Sequence, residues 1–230
     1  YLLEKKLYLI YMKKFKTLNK NTLEEGFRYL AKKETAFKRI LEEKNYNIAP
    51  FSKKSGFEGL IALIVEQQLS VASAKAIFNR LKKIVTPFEP EEFLKVDDRE
   101  FKEAGLSKQK IDYCNGIAEM IKKKELNLNE LSKKDDSEVI SELIKIRGIG
   151  EWTAQCYLMA CLKRIDAWPS SDLGLIVAIQ RLKGMQERPD YLTIEKIAEP
   201  WSPFRTVAAL ILWSTYDTVS YTHLTLPTIN

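Results

Sequence analysis

Residues 143–155 read LIKIRGIGEWTAQ. An amphipathic pattern runs into Gly148-Ile149-Gly150 and resumes at once beyond it. A glycine inside a helix costs about 1 kcal/mol relative to alanine, so two of them two residues apart argue against one continuous helix. Glycine is usual where the chain must turn or where something must come close to the backbone. The segment therefore reads as two helices, SEVISELIKI and EWTAQCYLMACLK, joined by a tight RGIG turn. Glycine on either side of Ile149 permits positive φ angles and leaves backbone N–H groups unobstructed, while Ile149 points inward and fixes the helices against each other. Exposed N–H groups at a helix start attract anions, because the helix dipole adds partial positive charge there. In a basic chain the obvious ligand is a DNA phosphate, a contact that positions a duplex without reading its sequence. Taken alone, G-x-G more often marks a turn used only for packing.

Outward from the hairpin nearly every periodic segment reads as helix. GFEGLIALIVEQQL (56–69) is apolar on almost all sides, as a helix central to a core should be. Thr22 with Glu25 forms a capping box for a first helix, and AFKRILEEK supplies a second amphipathic stretch. Ser70 caps VASAKAIFNRLKKIV, which Pro87 terminates. DDREFKEAG stops at Gly105, and Ser107 opens KQKIDYCNGIAEMIKKK. Asp135 with Glu138 caps the first hairpin helix, and Ser202-Pro203 opens FRTVAALILW with proline at the favoured first position. Strand signals are nearly absent and no long repeat occurs, so the chain is expected to be all-α, about ten short helices in two lobes.

The 230 residues carry a net charge of +6, which permits a polyanionic partner without demanding one. No apolar run reaches 18 residues, so no membrane span is indicated. Cys114, Cys156 and Cys161 are too few and too irregular for a disulfide framework or a four-thiolate metal site, and a reducing, cytoplasmic setting fits them. The single histidine, His223, lies in SYTHLTLPTIN (220–230), which breaks the helical pattern and resembles translated sequencing-adapter DNA. At the other end MKKFKTLNK from Met12 reads like a natural start, and residues 1–11 like upstream translation. The folded domain is thus expected over 12–219, its second lobe mainly 57–165 with the hairpin at 143–155.

Beyond the hairpin comes DAWPSSDLGLIVAIQRL, where Asp172 sits as a proline-containing loop turns into a new helix. An aspartate there is ordinarily an N-cap. Together, LIKIRGIGEWTAQ…DAWPSSDLGL resembles the helix-hairpin-helix DNA glycosylases, nearest the DNA-3-methyladenine glycosylase II branch that removes alkylated bases. The resemblance extends upstream to GFEGLIALIVEQQLSVASAKAI and downstream to EPWSPFRTVAALILW. It covers about residues 35–216, with three separate motifs in the right order.

The resemblance implies a two-lobed helical fold with the active-site cleft between the lobes, and Asp172 as the catalytic carboxylate. Breaking an N-glycosidic bond builds oxocarbenium-like charge on the deoxyribose, which a nearby carboxylate stabilises while orienting or deprotonating the attacking water. Where relatives that also cut the backbone have a Schiff-base lysine, this chain has Trp152, which implies a monofunctional enzyme that leaves an abasic site. Trp152 and Trp213 match aromatic base-pocket positions, suited to cationic alkylated purines. Cys156 matches a base-pocket position that is a pocket-lining tyrosine in a bacterial relative, and Tyr157 beside it faces about 100° away. Trp168, Trp201 and Phe204 are further aromatic candidates, more in keeping with packing.

Arg147, Gly148, Ile149, Gly150 and Thr153 form the implied DNA-binding hairpin. Gln68 or Leu69, with Gln67 behind them, is the candidate wedge that fills the gap left by a flipped base. No iron–sulfur cluster is expected, since the branch that carries one has four closely spaced C-terminal cysteines and this chain has none after Cys161. Hairpin carbonyls are candidates to hold a monovalent cation. The expected partner is duplex DNA containing damaged bases, bound by a monomer acting at the nucleoid, away from membranes. The alternatives are a non-enzymatic DNA-binding hairpin module, a bifunctional glycosylase-lyase and, more weakly, an all-α protein-interaction domain.

Overall fold

The computed structural model describes residues 16–216; the readings of both chain ends, His223 included, lie outside them. The described residues divide into two compact units, one of 16–18 and 51–169, the other of 19–50 and 170–216. Both are built from helices, and the described residues contain no sheet, only an isolated bridge between Thr17 and Arg164.

The first unit holds α3 (Phe57–Glu66), α4 (Val71–Ile84), α5 (Pro90–Phe93), α6 (Asp98–Ala104), α7 (Lys108–Lys122), α8 (Asp136–Leu143) and α9 (Glu151–Ala160). The all-round apolar sequence of α3 has its reason in its surroundings. Every residue from Phe57 to Val65 except Glu58 is buried, and α4, α7 and α9 all pack against this helix. Each fully buried large apolar side chain contributes about 1.5–3 kcal/mol relative to exposure. An aromatic cluster closes one end, with Phe93 stacked on Phe101 at 4.5 Å and edge-on to Phe57 at 5.5 Å. Buried Arg164 donates to the carbonyls of Ser132 and Lys134 and pairs with Asp136, tying the segment after α9 to the start of α8.

The second unit holds α1 (Lys20–Lys33), α2 (Thr35–Glu43), α10 (Leu173–Leu182), α11 (Tyr191–Ala198) and α12 (Arg205–Tyr216). Here α12 packs on α1, α2 and α10. Gly26 of α1 meets α12 so closely that a Cβ there would lie 2.8 Å from Val207. Trp201 and Phe204 are both buried and face Phe37 and Tyr29, which assigns these two aromatics to packing.

The helix ends follow the local chemistry with two differences. Ser70, Ser107 and the Asp135–Glu138 capping box stand at their expected N-termini, and Gly105 ends α6 with φ +106°. The first helix, however, is capped by Asn19, and Thr22 is the third helical residue that answers it. Asparagine is the stronger cap and lies three residues earlier, so the helix takes the extra turn. The last helix begins at Arg205, past Pro203, because a 3-10 turn over Glu199–Trp201 occupies the preceding residues and the Phe204 N–H bonds to the Trp201 carbonyl.

Candidate active site and hairpin

In the first unit, α8 ends at Leu143 and α9 begins at Glu151, with Gly150 as its N-cap. The two glycines of the turn do different work. Gly148 has φ +92°, and a Cβ there would fall 2.3 Å from the Tyr113 ring. Gly150 has φ −96°, and a Cβ there would meet nothing within 4 Å. The expectation that both glycines serve positive φ therefore holds for Gly148 alone. Ile149 is buried, and its N–H donates to the Ile146 carbonyl at 3.0 Å, so that amide faces into the turn. α9 has no side-chain cap, and helix geometry leaves the N–H groups of its first turn without intrahelical acceptors.

Arg147 is exposed beside the turn, its guanidinium 5.9 Å from the Tyr113 ring centroid. Thr153 is not on that surface. It is buried, and its hydroxyl accepts the Gln67 side-chain amide at 3.0 Å, because the third helical position turns toward the core. The same amide donates to the Gly148 carbonyl at 2.9 Å. Carbonyls have two lone pairs, so those of Ile146 and Gly148 can accept these bonds and still face a cation.

Trp152 is half-buried in the first turn of α9, and Cys156 is buried one turn further on. Tyr157 belongs to the core, where its hydroxyl accepts the Gly56 N–H and burial pushes its pKa up. Trp168 is also buried, and its backbone N–H donates to Gln155. The link from α3 to α4 exposes Gln68 and Leu69, the candidate wedge residues.

In the second unit Asp172 caps α10, accepting the Leu175 N–H on Oδ1 at 2.9 Å. The same oxygen accepts the indole N–H of Trp213 at 2.9 Å. Gly174 keeps this arrangement compact, since a Cβ there would stand 3.0 Å from Oδ1 and 3.4 Å from the indole. The two N–H donors fix the carboxylate in direction. A fixed carboxylate of this kind can stabilise a nearby developing cation or orient a water. Trp213, expected as a pocket wall, is thus a direct partner of Asp172. Reading residues one by one could not reveal that bond, which joins positions 41 apart.

Among the described residues no cluster of three or more His, Cys, Asp or Glu could hold a metal, and no helix is long and apolar enough to cross a membrane.

Residues 61–203 match the HhH-GPD superfamily of base excision DNA repair proteins. The chain is 35% identical over 178 residues to DNA-3-methyladenine glycosylase 1 of Schizosaccharomyces pombe, covering 74% of this chain and 76% of that one. It superposes on the solved structure of the S. pombe 3-methyladenine DNA glycosylase in complex with abasic DNA with a TM-score of 0.79 at 32% identity, over 86% of this chain and all of that one. The Bacillus halodurans DNA-3-methyladenine glycosidase is similar at a TM-score of 0.69 and 31% identity, over 84% and 89%.

Proposed function

The chain belongs to the HhH-GPD superfamily of base excision DNA repair proteins, and on that footing we propose that it is a monofunctional DNA glycosylase. It hydrolyses the N-glycosidic bond of alkylated purines flipped out of duplex DNA and leaves an abasic site. The observation that carries this reading is Asp172, whose Oδ1 is held by the first turn of α10 and by Trp213. As the bond to the base lengthens, positive charge grows on the sugar, and the carboxylate stabilises it. The same group orients the attacking water and takes its proton. An N3- or N7-alkylated purine already bears positive charge, so it departs as a neutral base, and the face of Trp152 suits it while it is bound. Tryptophan cannot form a Schiff base, so the sugar is attacked by water and the strand stays intact.

The uncapped start of α9 and the open side of Gly150 support a phosphate contact there, with Arg147 beside it. In this reading the enzyme acts as a monomer, in the cytoplasm, and without a redox cofactor. The test is base release from duplexes carrying methylated, ethenylated or deaminated purines. The parent protein releases methylated bases, and Asp172→Asn abolishes release while duplex affinity stays within about threefold, since the cap geometry survives. An Asp172→Asn protein as fast as the parent would remove this carboxylate from the chemistry.

A further inference from the structure

Within the first unit the link from α3 to α4 runs from Gln67 to Ser70 and carries the exposed Gln68 and Leu69. Gln68 has φ +56°, a region that non-glycine residues occupy when their surroundings hold them there. Two side chains hold this link. The Lys110 ammonium donates to the carbonyls of Val65 and Gln67, each at 2.8 Å, closing the end of α3 onto the link. From the other side the Gln67 amide donates to the Gly148 carbonyl and the Thr153 hydroxyl. Gln67 is therefore anchored to Lys110 through its backbone and to the hairpin through its side chain.

Lys110 is badly placed for its own helix. It lies in the first turn of α7, where the dipole disfavours a cation, and partial burial lowers its pKa. The ammonium is favourable there only because the carbonyl end of α3 faces it with the opposite partial charge. A residue that costs its own helix and serves the neighbouring link points to a demand on that link.

We propose that Lys110 and Gln67 are positioning residues for base extrusion, holding the Gln68–Leu69 turn rigidly on the hairpin. The side chain that enters the duplex is then fixed relative to the phosphate the hairpin grips. Neither residue touches the reacting atoms. The inference rests on the glycosylase reading above and adds that insertion and phosphate grip are mechanically one piece. A loosened turn would insert poorly, and the penalty would scale with the work of extrusion, which is least for an unpaired base.

The experiment is single-turnover release of 7-methylguanine placed in a synthetic duplex either opposite cytosine or opposite an abasic analogue. Lys110→Met and Gln67→Met each slow release at least about tenfold opposite cytosine and less than about threefold opposite the abasic analogue. Their affinity for undamaged duplex stays within about threefold of the parent. Equal slowing on both substrates, or no slowing, overturns the proposal, because a merely structural role does not distinguish the opposing base. Gln67→Met, at a half-exposed position, keeps the test decisive if Lys110→Met folds poorly. A parent protein inactive on both duplexes instead refutes the glycosylase reading itself, and this inference with it.

Discussion

Alanine at Gly148 and alanine at Gly150 separate folding from binding. At Gly148 the backbone has φ +92°, and the new methyl would sit 2.3 Å from Cγ and Cδ2 of Tyr113. Left-handed strain of about 1–2 kcal/mol adds to an overpacking cost of about 1–3 kcal/mol, so Gly148→Ala loses about 2–5 kcal/mol of stability. At Gly150 the backbone is ordinary and the space is open. A small gain from a stiffer unfolded chain offsets a small loss at the cap, leaving Gly150→Ala within about 0.5 kcal/mol of the parent. Nothing inside the described protein requires glycine at position 150. If a phosphate must approach that backbone, the methyl stands in its way and costs about tenfold in duplex affinity, the equivalent of about 1.4 kcal/mol. Urea unfolding reads the first quantity and fluorescence anisotropy with an undamaged duplex the second. A Gly150→Ala protein with parental affinity would refute the close phosphate approach. A Gly148→Ala protein with parental stability would refute the geometry of the turn.

Trp213→Phe keeps an aromatic ring but removes one of the two donors to Asp172 Oδ1, so single-turnover base release should fall about ten- to a hundredfold. An unchanged rate would mean that the indole does not orient the carboxylate. Borohydride added during turnover should trap no protein–DNA adduct, and an adduct would expose an amine nucleophile in place of water. Burial pushes the Cys114 and Cys161 thiols from the ordinary 9.0 up to about 12. Below pH 9 native and unfolded chains both keep these protons, and the stabilisation is complete. Between pH 9 and about 12 only the unfolded chain releases them, so stability falls by up to about 1.4 kcal/mol per pH unit for each thiol. Urea midpoints from about pH 8 to about 10.5 should therefore fall less steeply for Cys114→Ala than for the parent, and parallel slopes would refute the burial argument.

The legible parts of the fold were those with local causes. The Ser70, Ser107 and Asp135–Glu138 caps bond to amides three residues away, so the sequence around them contains both partners. α3 was legible because a helix apolar on every face has nowhere to be except inside. The first and last helices start elsewhere than their local patterns indicate because two local signals compete there: Asn19 against Thr22, and the 3-10 turn at Glu199–Trp201 against Pro203. At the hairpin, the turn itself was legible from Gly148-Ile149-Gly150. The division of labour between its glycines was not, because it depends on Tyr113, which comes from another helix. The family resemblance puts Thr153 on the DNA surface, whereas in the packed unit it is a buried acceptor, since only packing brings Gln67 to it.

By itself the sequence determined the helical class, most of the caps, the hairpin and the position of Asp172 at a helix start. These rest on contacts within one or two helical turns, where chain connectivity brings the partners together. Tertiary structure alone decided that Trp213 bonds Asp172, and that Lys110 and Gln67 clamp the Gln68–Leu69 turn to the hairpin. Those bonds join residues more than forty positions apart. Their geometry is set by how buried helices pack, and no local pattern of residue types encodes it.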